Sequence, residues 1–345
     1  MEEIINFLKG EISSVEAGKP IVTENNKSYT ISKSNFFPLY SWVSSKPVSF
    51  IDGGSSIFID SPSLCAGFVR VVCVVMENKK TTKILSSEIF VIAKAKVENA
   101  RVIYETINFS TKNTTEKING IKIDSLDPSL TGSQERFPLS KMVDISRRFL
   151  ELKIAKKATE KTKNKGIVVI DGSLKAFYPG ESEFLEELFT AGKNNNVLIT
   201  ALAKTSVGLT TCGDTLNAAL HRCADMSEWF YYPAYVLEEE TYKADVYFAK
   251  FHEKSDYIFT VDIYKEQGKD ADVQKVLGFL VYYSKDAFFP GYPYGLVKAD
   301  QLARVSHRET DALVTRLSAL DAKLFEMMRP YMNSFNAHSV LDSMH

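Results

Sequence analysis

The stretch Ser49-Phe50-Ile51-Asp52-Gly53-Gly54-Ser55-Ser56 decides how the fold of this chain is interpreted. Its apolar residues predict a short buried strand, with Asp52 at the carboxyl end and a hairpin through the two glycines into a second strand at 56–60. Glycine there permits a sharp turn or a close approach of the backbone to a ligand. A carboxylate so placed is typical of sites that handle metal ions or phosphates, although Asp-Gly after a strand is also a common turn signal.

The same pattern occurs a second time, in Ile167-Val168-Val169-Ile170-Asp171-Gly172-Ser173-Leu174. An apolar run again predicts a strand, and an Asp-Gly-Ser sequence again follows it. Two strand-end aspartates in one chain indicate a shared acidic site, unless both simply form turns.

Bulk composition limits the possible function classes. The chain has 345 residues, of which 45% are hydrophobic, so it allows one large domain or two. A net charge of -1 gives no global attraction to nucleic acid or to a membrane surface. The four cysteines show no C-x-x-C spacing and are expected to be reduced, mostly buried thiols. The start lacks a signal-peptide pattern, and no apolar run reaches the roughly 18 residues of a membrane span, so we expect a cytoplasmic protein.

The order of elements predicts a fold class. Residues 48–94 predict several sequential antiparallel strands, 138–163 a helix, and the following segments a strand, a helix and a strand. This order is that of the ribonuclease H-like α/β layout, a mixed sheet flanked by helices, here with additional C-terminal helices. In that layout the ends of the first and fourth strands lie side by side, where Asp52 and Asp171 are expected.

Three domains are predicted along the chain. Residues 1–46 form an N-terminal helix and arm, 47–310 the ribonuclease H-like domain, and 311–345 a C-terminal helical tail. Residues 95–137 are interpreted as a variable insertion or a long loop, because asparagine, glycine, proline and threonine punctuate them. One further helix is predicted to carry both Asp300 and His307.

The helix at 138–163 is locally basic. From Lys141 to Lys165 there are nine Lys or Arg residues and three acids, a balance of 9 - 3 = +6. Such a surface suits phosphates. The alternative is a solvated, salt-bridged face in which Arg147 pairs with Glu151 at i,i+4. The candidate DNA-binding residues on this helix are Arg147, Arg148, Lys153, Lys156 and Lys157.

Clustered carboxylates point to a divalent cation. Two carboxylates about 4 Å apart repel by about 4 kcal/mol at an effective dielectric constant near 20, so a cation is needed to make the cluster tolerable. Oxygen ligands of this kind suit Mg²⁺ or Mn²⁺, which promote phosphodiester hydrolysis.

Four segments in order resemble the NurA nuclease family of archaea and some bacteria. They are Phe-Ile-Asp52-Gly-Gly-Ser-Ser, Arg147-Arg148-Phe-Leu-Glu151-Leu, Val-Ile-Asp171-Gly-Ser-Leu and Gly291-Tyr292-Pro293-Tyr294. The resemblance covers roughly residues 48–310. It implies a homodimeric, Mn²⁺- or Mg²⁺-dependent nuclease with 5′ to 3′ exonuclease and single-strand endonuclease activity on DNA. It also implies a hexameric HerA-type ATPase as partner in the end resection of double-strand breaks.

The resemblance also assigns roles to residues. Asp52 and Asp171 match the metal-binding aspartates, Glu151 the helix glutamate, and Tyr292 the tyrosine of the Gly-Tyr-Pro-Tyr turn. Eight residues after that tyrosine the family has a histidine, and this chain has Asp300. Asp300 is the favoured fourth ligand and His307 the weaker candidate.

Two other function classes stay open. One is a catalytically inactive ribonuclease H-like DNA-binding or scaffold subunit, which the aspartate in place of histidine favours. The other is a ribonuclease H-like enzyme of different chemistry, such as a ribonuclease or a phosphotransferase.

Overall fold

The fold is taken from a computed structural model. It describes residues 1–15, 21–24, 27–43, 45–131, 135–162, 166–204, 208–235, 242–267, 271–287 and 289–332. The chain divides into two compact units that alternate along the sequence. The first unit contains residues 1–45, 171–175 and 199–294, and the second contains 46–170, 176–198 and 295–345. The domain boundaries expected at 46/47 and 310/311 stay a prediction.

Thirteen strands are found in the described part of the chain. They are β1 (Ile21–Glu24), β2 (Lys27–Thr30), β3 (Phe36–Pro38), β4 (Val48–Asp60), β5 (Leu64–Glu77), β6 (Lys80–Glu98), β7 (Arg101–Ser110), β8 (Lys122–Asp124), β9 (Ile167–Asp171), β10 (Leu198–Ala203), β11 (Trp229–Tyr231), β12 (Ala244–Lys250) and β13 (Phe259–Tyr264).

Eight α-helices are described. They are α1 (Glu2–Val15), α2 (Lys141–Lys161), α3 (Glu181–Asn195), α4 (Leu216–Cys223), α5 (Ala271–Tyr283), α6 (Tyr294–Ala303), α7 (His307–Leu320) and α8 (Ala322–Met332). None of them, within the residues described, combines the length and apolarity needed to cross a membrane.

The second unit is built on a mixed sheet with strand order β9-β4-β5-β6-β7-β8. Strand β9 is parallel to β4, and the other neighbours are antiparallel. Helix α2 packs against β4, β5 and β6. Its buried apolar stripe explains this position, because a helix with one apolar face covers the sheet with that face. The parallel first and fourth main strands beside an antiparallel series confirm the predicted fold class.

In the first unit, β3, β11, β12, β13 and β10 follow one another as antiparallel neighbours. Their large apolar side chains, including Trp229, Tyr231, Phe248 and Phe259, are fully buried. The aromatic run at 229–236 predicts a longer strand, but β11 ends at Tyr231, because Pro233 lacks the N–H that would continue the ladder. Residue 236 lies outside the described residues.

The hairpin expected at Gly53-Gly54 is wrong. Strand β4 passes straight through both glycines, which pair with Val71 and Arg70 of β5, so Asp52 lies inside the strand. The two glycines do not form a turn; they allow neighbouring helices to pack closely against β4. A side chain on Gly54 would meet the Ala303 carbonyl oxygen at 2.4 Å.

The loop expected at 95–137 is also wrong in part. Strand β6 extends to Glu98, and the two-residue turn Asn99-Ala100 leads into β7. Both turn residues have positive φ, 49° and 62°, as a two-residue hairpin requires. Only Tyr104 and Thr106 of β7 are buried, and Ile107 and Phe109 are exposed. Residues 132–134 of this segment lie outside the described part.

Asp300 and His307 do not share one helix. Helix α6 ends at Ala303 and α7 begins at His307. The hydroxyl of Ser306 accepts a hydrogen bond from the Glu309 N–H, an N-cap that starts a new helix. Residues 333–345 of the predicted tail lie outside the described residues.

Candidate active site

Asp52 is a buried carboxylate in the middle of β4. Only 6% of the residue is exposed, and its Oδ1 accepts a hydrogen bond of 2.7 Å from the Gly53 N–H. Side chains alternate between the faces of a strand. Phe50 and Gly54 face helix α6, because hypothetical Cβ atoms at Gly295 and Gly54 would meet Phe50 and Ala303. Asp52 therefore faces α6 as well.

Helix α6 lies along β4 at close range. Gly295 sits over Phe50 and Ala303 over Gly54, at the two ends of the contact. The eight helical steps span about 12 Å, and the four strand steps span about 13 Å. Asp300 follows the fully buried Ala299 and has a side chain 39% exposed. Its carboxylate pairs with Arg304 at 3.1 Å, so Asp300 lies at the edge of this helix face.

Glu151 approaches β4 from the opposite face. The residue is 4% exposed, and its Oε1 would lie 2.4 Å from a Cβ placed on Gly53. Because Gly53 has no side chain, the carboxylate of α2 reaches the strand backbone. Asp52 and Glu151 thus lie at adjacent positions along β4, on opposite faces of the strand.

Two arginines hold Glu151. Arg147 lies 3.1 Å from Oε1 and also donates a 2.9 Å hydrogen bond to the Gly53 carbonyl. Arg148 lies 3.7 Å from Oε2 and pairs with buried Glu181 at 2.7 Å. The attraction of Glu151 raises the pKa of Arg147. These two candidate DNA-binding residues therefore order the Glu151 carboxylate, and the expected i,i+4 pair is confirmed.

In the first unit, Asp171 is contacted through both oxygens. The Lys204 ammonium lies 2.7 Å from Oδ2, and the Tyr292 hydroxyl donates to Oδ1 at 3.5 Å. Lys204 also lies over the Tyr292 ring, 5.3 Å from its centroid. Tyr292 is 3% exposed and packs against the rings of Phe259 and Phe289. The tyrosine predicted from the Gly-Tyr-Pro-Tyr turn is thus fixed at one of the predicted aspartates.

A buried carboxylate that the sequence interpretation missed supports the same turn. Asp262, 2% exposed in β13, accepts hydrogen bonds of 2.7 Å from the Ser173 hydroxyl and the Leu174 N–H. Burial is the main cause that raises the pKa of Tyr242, and the negative charge of the Asp262 carboxylate raises it further. Asp262 therefore fixes the turn that follows Asp171. An acid inside a mostly apolar strand was the available signal.

The remaining predicted residues lie apart from these contacts. Lys156 pairs with Glu187 at 2.9 Å and Lys157 with Glu160 at 2.9 Å, whereas Lys153 lies over the Phe184 ring. This part of α2 is a salt-bridged face. His307 is exposed at the start of α7.

The donor chemistry fits a divalent cation. Asp52, Glu151, Asp171 and Asp300 offer carboxylate oxygens, which Mg²⁺ and Mn²⁺ prefer. Within the described residues no three Asp, Glu, His or Cys side chains form a ready cation site. Three of these carboxylates are instead paired with basic side chains, among them Asp171 with the Lys204 ammonium. The four-ligand cluster stays a prediction.

Comparisons with known proteins give structural neighbours. No family model and no curated protein sequence matches the chain. Endonuclease V of Ciona intestinalis, solved with an inosine-containing 24mer DNA, is 12% identical with a TM-score of 0.40, covering 91% of this chain and 100% of that chain. The catalytic domain of human Endonuclease V is 10% identical with a TM-score of 0.38, covering 92% and 99%. Kluyveromyces polysporus Argonaute with a guide RNA is 11% identical with a TM-score of 0.31, covering 75% and 26%.

Proposed function

We propose that this chain is a metal-dependent nuclease that hydrolyses DNA phosphodiester bonds, as its resemblance to the NurA family implies. The observation that supports this best is the parallel register of β4 and β9. Ile51 is the register partner of Ile170, and each directly precedes one of the two predicted aspartates. The ribonuclease H-like layout and this register together favour a nuclease over an unrelated protein of similar amino-acid composition.

In this proposal Asp52, Asp171, Glu151 and Asp300 hold Mn²⁺ or Mg²⁺, which requires the Asp52 carboxylate to turn around β4 toward Glu151, because the two side chains leave the strand on opposite faces. The bound ion supplies positive charge at the phosphate and a more acidic water. Tyr292 orients the Asp171 carboxylate through its hydroxyl. Arg147 fixes Glu151 against the backbone of Gly53, which keeps that carboxylate in one conformation.

The finer activity follows the family. We propose 5′ to 3′ exonuclease and single-strand endonuclease cleavage, a homodimer, and a hexameric HerA-type ATPase as partner during double-strand break end resection. An end-labelled single- and double-stranded DNA assay with and without that ATPase tests cleavage polarity and partner together.

Two substitutions test the proposed function directly. Asp52→Asn and Asp171→Asn should each lower Mn²⁺-dependent cleavage by roughly two orders of magnitude or more, the scale of losing a charge-stabilising group. Cleavage of end-labelled DNA is followed on gels, with circular dichroism confirming the fold. Asp60→Asn, at the far end of the same strand, is the matched control and should cut normally. Normal cleavage by both site variants would contradict the proposal.

A second candidate function is a catalytically inactive DNA-binding scaffold. The ion pairs that Glu151, Asp171 and Asp300 make with basic side chains favour it, because paired carboxylates can simply stabilise a fold. A folded wild-type protein that binds DNA but does not cut it, with Mn²⁺ or Mg²⁺ and with the ATPase present, would support this candidate.

A further inference from the structure

We propose that Lys204 belongs to the active site, where it occupies the Asp171 carboxylate until a divalent cation displaces it and then binds a phosphate of the nucleic acid. This inference rests on the proposed function. It assigns a role to a residue for which no motif gave a signal.

The contacts of Lys204 place its ammonium at the predicted ligand. The Nζ atom lies 2.7 Å from Asp171 Oδ2 and 5.3 Å from the Tyr292 ring centroid. Tyr292 is buried between two further rings, so it forms a fixed wall beside the ammonium. A carboxylate oxygen, a tyrosine face and a lysine therefore meet at one point of the first unit.

The exposure of the three groups indicates that the ion pair between Lys204 and Asp171 can open and is not a permanent part of the fold. The Lys204 side chain is 43% exposed and the Asp171 side chain 19% exposed, whereas Tyr292 is 3% exposed. A half-exposed lysine holds its partner weakly, because solvent screens the pair. A divalent ion at Asp171 would compete directly with the ammonium, since both need the same carboxylate.

The position of Lys204 in the fold suits such a movement. It follows directly after β10, which ends at Ala203, so its long side chain extends from the strand end. A released ammonium on a flexible stem is a point charge that suits a phosphate oxygen. Lysine at a strand end can thus neutralise the carboxylate and then the phosphate.

Titration calorimetry with Mn²⁺ and no DNA tests the competition. Lys204→Met should bind Mn²⁺ about two- to five-fold more tightly than the wild type, the scale of a solvent-exposed ion pair. Lys254→Met removes an exposed lysine elsewhere in the same unit and should match the wild type. Equal or weaker Mn²⁺ binding by Lys204→Met would overturn the proposal.

DNA binding with Ca²⁺ in place of Mn²⁺ tests the phosphate contact. The dependence of log affinity on log salt, measured by fluorescence anisotropy on a single-stranded oligonucleotide, should lose about 0.7 from its slope in Lys204→Met, as expected for one lost phosphate contact. An unchanged slope would also overturn the proposal.

Asp171→Asn separates the two levels of inference. Unchanged Mn²⁺ binding by this variant would mean that the proposed function is wrong. Lost Mn²⁺ binding in Asp171→Asn, with Lys204→Met identical to the wild type, would mean that only the role of Lys204 is wrong.

Discussion

Single residues show how this chain keeps charge inside its core. Lys250, 6% exposed at the end of β12, donates hydrogen bonds to the carbonyls of Ser227, His252 and Glu253 at 2.9, 3.2 and 3.1 Å. Three carbonyl dipoles thus replace the water that an ammonium would otherwise bind, so the buried charge stabilises the loop after β12.

Lys250→Met should therefore destabilise the protein without touching the candidate site. Since the carbonyls lose a charged donor, the free energy of unfolding should fall by about 2–4 kcal/mol. Urea unfolding followed by circular dichroism measures this, with Lys254→Met as the exposed control. A change below about 0.5 kcal/mol would show that water replaces the ammonium at little cost.

Gly53 is the residue on which the position of Glu151 depends. In Gly53→Ala the new methyl group would lie 2.4 Å from Glu151 Oε1, and a flexible side-chain end can move away. The fold should persist, while cleavage should fall roughly ten- to hundred-fold because the carboxylate is displaced.

The matched control for that variant is Gly10→Ala in α1, where a Cβ meets nothing within 4 Å. Cleavage at the wild-type rate in Gly53→Ala, with the fold intact, would show that the position of Glu151 does not matter for the reaction.

Among the elements, α6 and β4 depend on glycine for their contact. Gly295→Ala would place a methyl group 2.0 Å from Cδ2 of Phe50, a fully buried ring. Such overpacking should lower the free energy of unfolding by about 1–3 kcal/mol. Differential scanning calorimetry measures the shift, and a melting temperature equal to the wild type would show that α6 can move away from β4 freely.

The elements also show what a sequence can predict. Helix α2 and strand β9 were predicted correctly, because their hydrophobic periodicity and apolar runs follow from which of their residues are buried. The glycines of β4 were misinterpreted, because glycine is equally common in turns and at positions where another segment packs closely. Only the packing of α2 and α6 against β4 distinguishes the two cases. Strand β7 was missed because the asparagine, threonine and glycine residues that follow it at 111–120 predict a loop, and that prediction was extended back over the strand.

The candidate site divides in the same way. Asp52, Glu151, Asp171 and Tyr292 stand in short local patterns, so the sequence alone can propose them as site residues. Lys204 contacts Asp171, 33 positions away, and Asp262 contacts Ser173, 89 positions away. A local sequence pattern cannot predict contacts between residues so far apart in the chain.

At the scale of the whole molecule, the cysteines report on the packing of both units. Burial raises the pKa of Cys65 to about 12 and that of Cys73 to about 12. Cys212 is exposed and Cys223 is partly exposed. The expectation of mostly buried thiols is thus confirmed for the two cysteines of β5.

Thiol labelling should therefore distinguish the two pairs. At pH 8 about one in ten thousand of the buried thiols would be ionised, so maleimide should modify Cys212 and Cys223 in the native protein and all four cysteines in denaturant. Mass spectrometry of the digested protein counts the modified sites, and Cys212→Ser should remove one of them. Native labelling of Cys65 or Cys73 as fast as Cys212 would contradict the packing of β5.

The alternation of the two units along the chain governs how the protein can be taken apart. The chain passes from one unit to the other five times, after residues 45, 170, 175, 198 and 294. No single cleavage releases either unit whole, and no terminal truncation removes one while sparing the other. A recombination event or an expression fragment with one breakpoint between residues 46 and 294 therefore interrupts both units, so most of this protein should be inherited, expressed and inactivated as one piece.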